Sequence, residues 1–313
     1  MKGSKIYNGS LIYPKDTVMP ASVLTSNSTQ IYEWQWSKQT LQIAYDRRGE
    51  GEPILLLPAF STVSSRKEWE AAAQVLGATY QVTAVDWPGF GDSSKAAIAY
   101  TPILYEAFLP EFVSACFDQS LTVVAAGHAA GYALHLAHQL PKQIARLVLV
   151  APTWRGPLPT MGAPKRVAAG VENLVRTPLM GQFLYYLNTR PQFLKWMYSR
   201  HVFAQAQNLT PDFMVDKYAI TQQRGARFGP AAFVTGGLDP VTNRGAFLQL
   251  FADLRAKCLV ITSEDGPPKS KAEMEAIQAI SSVTLQSHPG SLGLHEEHGD
   301  AIGHLIRTFL QQS

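Results

Sequence analysis

"VVAAGHAAGYALHLA" spans Val123–Ala137 and changes character halfway. Its first part is short, continuous and apolar, as a strand buried on both faces must be. Its last part, from Gly131 on, repeats apolar residues at helical spacing. Between them stand only small residues and one histidine: Gly127, His128, Ala129, Ala130 and Gly131. A strand that passes directly into a helix through small residues predicts a βα unit. Such units build a mainly parallel sheet.

The same rhythm extends in both directions. Residues 31–36 (IYEWQW) and 41–49 (LQIAYDRRG) alternate apolar and polar, the pattern of half-buried strands. Residues 53–60 (PILLLPAF) form a short apolar strand. Residues 64–77 (SSRKEWEAAAQVLG) open with serine caps and stop at Gly77. A further strand runs into the glycine-rich turn of 80–94 (YQVTAVDWPGFGDSS), and a helix is predicted over Tyr105–Phe117. Strands return at 145–152, 256–265 and 281–290, and the helix DAIGHLIRTFL (300–310) follows. Right-handed crossovers then give an α/β fold with a mainly parallel, doubly wound sheet.

The rhythm breaks at Trp154. Up to Pro240 the chain is helical, aromatic and punctuated by proline, most densely at 179–203. The expected organisation is an irregular polar arm over 1–29, a core of 30–153 and 241–313, and a helical lid at 154–240. A lid inserted between two portions of one sheet lies over the C-terminal strand edge, where open α/β sheets bind ligands.

Composition narrows the function classes. The 313 residues are 46% hydrophobic and carry a net charge of +3 without a basic block. That spread excludes a nucleic-acid-binding surface of the usual clustered kind. Cys116 and Cys258 lack C-x-x-C spacing, so a reducing compartment is expected. The N-terminus lacks the apolar core of a signal peptide. No run reaches the roughly 18–20 apolar residues of a membrane span. These features predict a soluble, cytoplasmic protein without metal or cofactor, and they leave peripheral membrane contact and oligomeric state open.

Five motifs in order resemble the lid-bearing α/β-hydrolases, over about residues 30–313. ILLLPAF (54–60) is similar to the family's strand and oxyanion loop, and VDWPGFGDSS (85–94) to its D-x-P-G-x-G-x-S turn. GHAAG (127–131) resembles the G-x-S-x-G nucleophile elbow. LVITSED (259–265) resembles the acid strand, and PGSLGLHEEHGDAIGHLIRTFL (289–310) the histidine loop. The resemblance implies a strained residue between strand and helix that lifts a reactive hydroxyl clear of the sheet. It also implies backbone N–H donors for an oxyanion, here at Phe60 and Ala130.

The same resemblance shows what is missing. Its nucleophile falls on Ala129, which is inert. Its acid falls on Gly266, with Asp265 and Glu264 one and two residues short. Its histidine falls on Gly293, with His295 two residues beyond, and Pro58-Ala59 replaces His-Gly in the oxyanion loop. A Ser→Ala replacement at 129 alone would leave Gly266 and Gly293 unexplained. One reading is therefore a non-hydrolytic or weakly active homologue, with a lidded apolar pocket for a lipophilic small molecule or a partner. The pocket residues expected are His128, Trp154, Tyr185, Tyr186 and Trp196. The alternative is an active hydrolase of esters or similar apolar substrates, or a cofactor-free lyase. There His295 would activate water with Asp265 or Glu264 behind it, an arrangement worth about 10²–10⁴ in rate.

Other residues have plainer readings. Asp86 and Asp92 suit turn hydrogen bonding, and Asp239 before Pro240 a hinge or turn. His135 and His138, three residues apart, lack a third ligand for metal. Glu296 and Glu297 suit a solvated first helical turn. The insert's aromatic residues fit three roles: an internal core, a pocket lining, or a face against lipid with Lys195 and Arg200 near headgroups.

Overall fold

A computed structural model describes residues 29–312, so the arm expected over 1–29 lies outside it except for Thr29. Among the described residues, eight strands form one sheet: β1 (Gln30–Trp36), β2 (Gln39–Arg48), β3 (Pro53–Leu57), β4 (Gln81–Val85), β5 (Leu121–Ala126), β6 (Ile144–Val150), β7 (Lys257–Ser263) and β8 (Val283–His288). Their spatial order is β1-β2-β4-β3-β5-β6-β7-β8. β1 and β2 are antiparallel to their neighbours, and the other pairings are parallel.

Alternate residues of the central strands feed two separate cores, which is why these strands read as unbroken apolar runs. Leu55, Leu57, Val123, Ala125, Leu147 and Leu149 face one core. That face is covered by Phe60 of the loop after β3, by α2 (Pro102–Cys116) and by α3 (Ala129–Gln139). Ile54, Leu56, Val124, Ala126, Val148 and Val150 face the other, covered by α1 (Glu70–Leu76) and the C-terminal helix. The second helix begins at Pro102, three residues before the expected start. Proline suits a first helical position, where its missing N–H costs nothing and its φ is already helical.

Between β6 and β7 the chain builds a helical layer. It contains α4 (Pro157–Met161), α5 (Lys165–Arg176), α6 (Met180–Asn188), α7 (Pro191–Met197), α8 (Pro211–Thr221), α9 (Phe228–Val234) and α10 (Arg244–Gln249). After β7 come α11 (Pro268–Ile277), α12 (Leu294–Glu297) and α13 (Gly299–Gln311). The layer has its own small core, in which Leu194, Tyr198, Phe203, Leu209 and Met214 close on Val63, beyond the C-terminal end of β3. It also bonds to the loop after β8: the Gly293 N–H donates to Val202 O (2.8 Å) and the Ser291 hydroxyl to His201 O (2.9 Å).

The turn after β4 is fixed by a buried charge cage. Arg66 reaches Asp86, Asp46 (2.8 Å) and Asp92 (2.9 Å), and Asp86 also accepts the backbone N–H groups of Arg66 and Asp92. Burial raises Asp86 to about 6, against the pull of Arg66. Asp86 and Asp92 are thus turn-holding residues, as expected. Removing one partner of such a buried pair leaves the other charge stranded. Arg66→Met is expected to lose about 3–5 kcal/mol of unfolding free energy in urea titrations, the usual cost of a stranded buried charge.

Candidate functional site

The bend between β5 and α3 sits at Gly127, not at Ala129. Gly127 has φ of +52°, while His128 is right-handed and Ala129 is the first residue of α3. This corrects the expectation that the strained central residue is 129. Glycine adopts positive φ without a Cβ clash, so the sharp turn falls on the one residue that tolerates it. The Gly127 N–H donates to Val150 O (2.9 Å), and its carbonyl accepts from Ala130 (3.2 Å) and Thr153 (3.1 Å). A Cβ built on Gly127 would lie 3.2 Å from the Ala59 methyl and 3.9 Å from Thr153 Oγ1. Ala129 and Ala130 are fully buried in the core, and the Ala130 N–H is already given to Gly127 O. Ala130 is therefore not a free oxyanion donor.

Next to the bend, a cluster of rings gathers around Phe60 and His128. Phe60 stacks on Trp87 at 4.7 Å and meets Tyr105, Phe90, Tyr132 and His128 at 5.0–6.0 Å between centroids. The polar tips of Trp87, Tyr105 and Tyr132 are satisfied by backbone, whereas His128 Nδ1 has no partner among the described residues. Trp87 Nε1 donates to Pro58 O (2.8 Å), and the Tyr132 hydroxyl to Leu238 O (2.7 Å). His128 Nε2 lies 2.8 Å from the same carbonyl, which assigns its proton to that nitrogen. Burial lowers His128 to about 4, so it is neutral at physiological pH. Asp239 Oδ1 is 3.5 Å from His128 Nε2 and accepts the Gly156 N–H at 2.7 Å. Burial raises Asp239 to about 7. Asp239 ties the end of the helical layer to its start.

His295 does not meet the acids expected for it. Its Nε2 is 3.0 Å from Glu68 Oε2, and its ring lies 4.8 Å from that of Trp69. Asp265 instead accepts the Gly290 N–H (2.9 Å), and Glu264 accepts the Ser287 hydroxyl (2.7 Å). Both extend the β7–β8 pairing through their own N–H groups, Glu264 to His288 O (3.1 Å) and Asp265 to Gly290 O (2.9 Å). Glu68 belongs to a sealed cluster. Lys217 of α8 lies 2.5 Å from Glu296 and 3.8 Å from Glu68, and the Tyr198 hydroxyl donates to Glu296 at 3.3 Å. Burial opposes the charge on Lys217, but Glu296 and Glu68 outweigh it and raise its pKa; burial raises that of Glu296. Glu297 accepts the N–H groups of Ala204 and Gln205, both at 2.7 Å. The reading of Glu296 and Glu297 as a solvated turn is thus overturned, because the helical layer covers them.

Open space lies elsewhere. A cleft of about 800 Å³ is lined by Lys95, Tyr185, Tyr186, Gln223, Arg224 and Arg227, among others. Tyr185 and Tyr186 are among its walls. His128, Trp154 and Trp196 do not line this cleft: Trp154 is buried with its Nε1 on Glu273 (3.0 Å), and Trp196 is exposed beside Phe193. The Tyr185 hydroxyl is buried and has no protein partner. Lys95 is held by Gly91 O, Ser93 O and Gln223 Oε1. Among the described residues no acidic side chain lines the cleft. Among the described residues no His, Cys, Asp and Glu group is arranged to hold a metal ion, and no helix is long and apolar enough to cross a membrane.

Sequence reasoning missed Glu68 and Lys217 as structural partners. Glu68 had one signal, its place three residues after Ser65, whose N–H it accepts (3.3 Å). Lys217 had none, because a single lysine in a helix reads as exposed.

The sequence profile of the alpha/beta hydrolase family matches residues 54–302. The chain belongs to the alpha/beta hydrolase family. Solved structures of this fold are similar over nearly their whole length. Bromoperoxidase from Bacillus anthracis aligns with a TM-score of 0.69 and 17% identity, over 91% of this chain and 100% of that one. A thermophilic esterase from Thermogutta terrifontis gives 0.68 and 18%, over 91% and 98%. The haloalkane dehalogenase DatA from Agrobacterium tumefaciens C58 gives 0.68 and 20%, over 90% and 97%. At these identities the likeness to an alpha/beta hydrolase is one of fold. No curated protein matches the chain by sequence.

The buried Asp239 sets a pH dependence. Its folded value of about 7 exceeds its ordinary 3.8, so the folded state holds the extra proton between those values and stability falls as pH rises through that window. Asp239→Asn removes this loss. Urea titrations at pH 5 and pH 8 are expected to show the variant gaining about 2 kcal/mol on the wild type over that interval.

Proposed function

We propose that this alpha/beta hydrolase family member is a non-hydrolytic binding protein, whose helical layer serves as a lid and holds a lipophilic small molecule. One observation carries the reading: the stations of the reaction are glycines around which the structure has closed. The bend residue Gly127 has no side chain and faces the Ala59 methyl. At Gly293, where the family histidine is expected, a Cβ would lie 2.7 Å from Val202 Cγ1 and 2.8 Å from Val202 O. At Gly266, where the acid is expected, it would lie 2.5 Å from Ser263 Oγ. Loss of an equivalent nucleophile costs on the order of 10⁶ in turnover in a serine protease. The water mechanism through His295 has no support from its surroundings, because His295 and Glu68 are both buried beneath the helical layer.

The cleft supports the binding half of the reading. Its volume falls in the range of about 300–1,000 Å³ typical of small-molecule sites. Tyrosine rings supply apolar walls. Lys95, Arg224 and Arg227 supply cations. The ligand that fits is apolar along most of its length and anionic at one end.

Two assays on the full chain test this. With p-nitrophenyl butyrate and p-nitrophenyl dodecanoate, no turnover above buffer is expected from the wild type, Gly127→Ser or Ala129→Ser. Dodecanoate is expected to displace 1-anilinonaphthalene-8-sulfonate saturably, and Arg227→Gln to weaken it about tenfold, the value of one charge-assisted contact. Ester turnover by the wild type refutes the silent centre. Failure of dodecanoate to bind refutes the cleft assignment.

A further inference from the structure

The helical layer carries an outward face whose composition is unlike the rest of the surface. On α5, Val167, Val171 and Leu174 recur at i, i+4 and i+7 and are all exposed. The tip between α5 and α6 adds Leu179 and Met180, 82% and 54% exposed, and α6 adds Phe183 at 56%. α7 continues the face with the Phe193–Trp196 ring pair. Isolated exposed apolar residues are ordinary, but a contiguous set on adjoining helices marks an interaction surface.

Charge identifies what covers it. Between Trp154 and Phe203 the sequence has a single acid, Glu172. That carboxylate is turned under the layer, where the Thr235 hydroxyl donates to it at 3.2 Å. The exposed charges of this segment are Arg155, Lys165, Arg166, Arg190, Lys195 and Arg200, all cationic. A second copy would bring the same sign. Residues 1–28 bring Lys2, Lys5 and Lys15 against Asp16, so they add to the positive charge. An anionic surface that accepts apolar side chains is complementary on both counts. We propose that this face docks the protein on an anionic lipid bilayer, with the α5–α6 tip entering the headgroup boundary and the cations engaging lipid headgroups. The proposal stands apart from the ligand reading, because the cleft is lined by the other side of α6, at Gln182, Tyr185 and Tyr186.

Flotation of the full chain with vesicles tests it. Uptake on phosphatidylcholine vesicles containing phosphatidylglycerol is expected to exceed uptake on phosphatidylcholine alone about tenfold or more, and to fall as salt rises. Lys195→Gln is expected to lower uptake about fivefold, the factor for one cation near an anionic leaflet. Leu179→Asp and Phe183→Glu are expected to lower it about tenfold or more while keeping the wild-type melting temperature, since both side chains point to solvent. Equal uptake on both vesicles, or unchanged uptake by the two acidic variants, overturns the proposal. Light scattering that shows a dimer dissolved by the same substitutions, with no vesicle uptake, overturns it in favour of self-association.

Discussion

Where β5 ends, the chain must reverse from an extended to a helical course within one residue. It does so at Gly127 with φ of +52°. That backbone demand organises the middle of the molecule. It brings the Gly127 carbonyl to the N–H groups of Ala130 and Thr153, starts α3 at Ala129, and directs His128 into the aromatic cluster around Phe60. In the fold's hydrolytic members, such a bend holds a reactive side chain in the open. Here the bend falls on a glycine, and the residue after it, His128, packs against Phe60 and Phe233.

The buried ions of the described chain cluster around two cations, Arg66 and Lys217, at the loops that follow β3, β4 and β8. Buried pairs of this kind contribute little net stability compared with apolar packing, yet breaking one is expensive. They therefore act as registers. Arg66 fixes the turn after β4 against the segment after β3, and Lys217 fixes α8 against both Glu68 and Glu296. Groups that resemble acid–base machinery in the sequence, His295 above all, serve to complete these registers.

The sheet was legible because buried parallel strands announce themselves as short apolar runs, and residues 53–57, 121–126 and 145–150 are such runs. The turn chemistry of Asp86 and Asp92 was legible for the same reason: glycine and aspartate have few alternative uses there. The passage from β5 to α3 was legible, but the residue at its bend was not. Two glycines bracket it, and sequence alone does not say which one carries positive φ. The partners of His295 were illegible, since Glu68 stands 227 residues away and Lys217 comes from the inserted helices. The position of the cleft was half legible. Tyr185 and Tyr186 were recognisable as wall material, but Lys95 and Arg227 come together only through tertiary packing.

The Lys217 cluster also bears on motion. Raising α8 off the core would pull an ammonium from two carboxylates and expose Tyr198 with them. That separation would strand buried charge, so the inserted helices are anchored to the loops of the sheet by electrostatics as well as by packing.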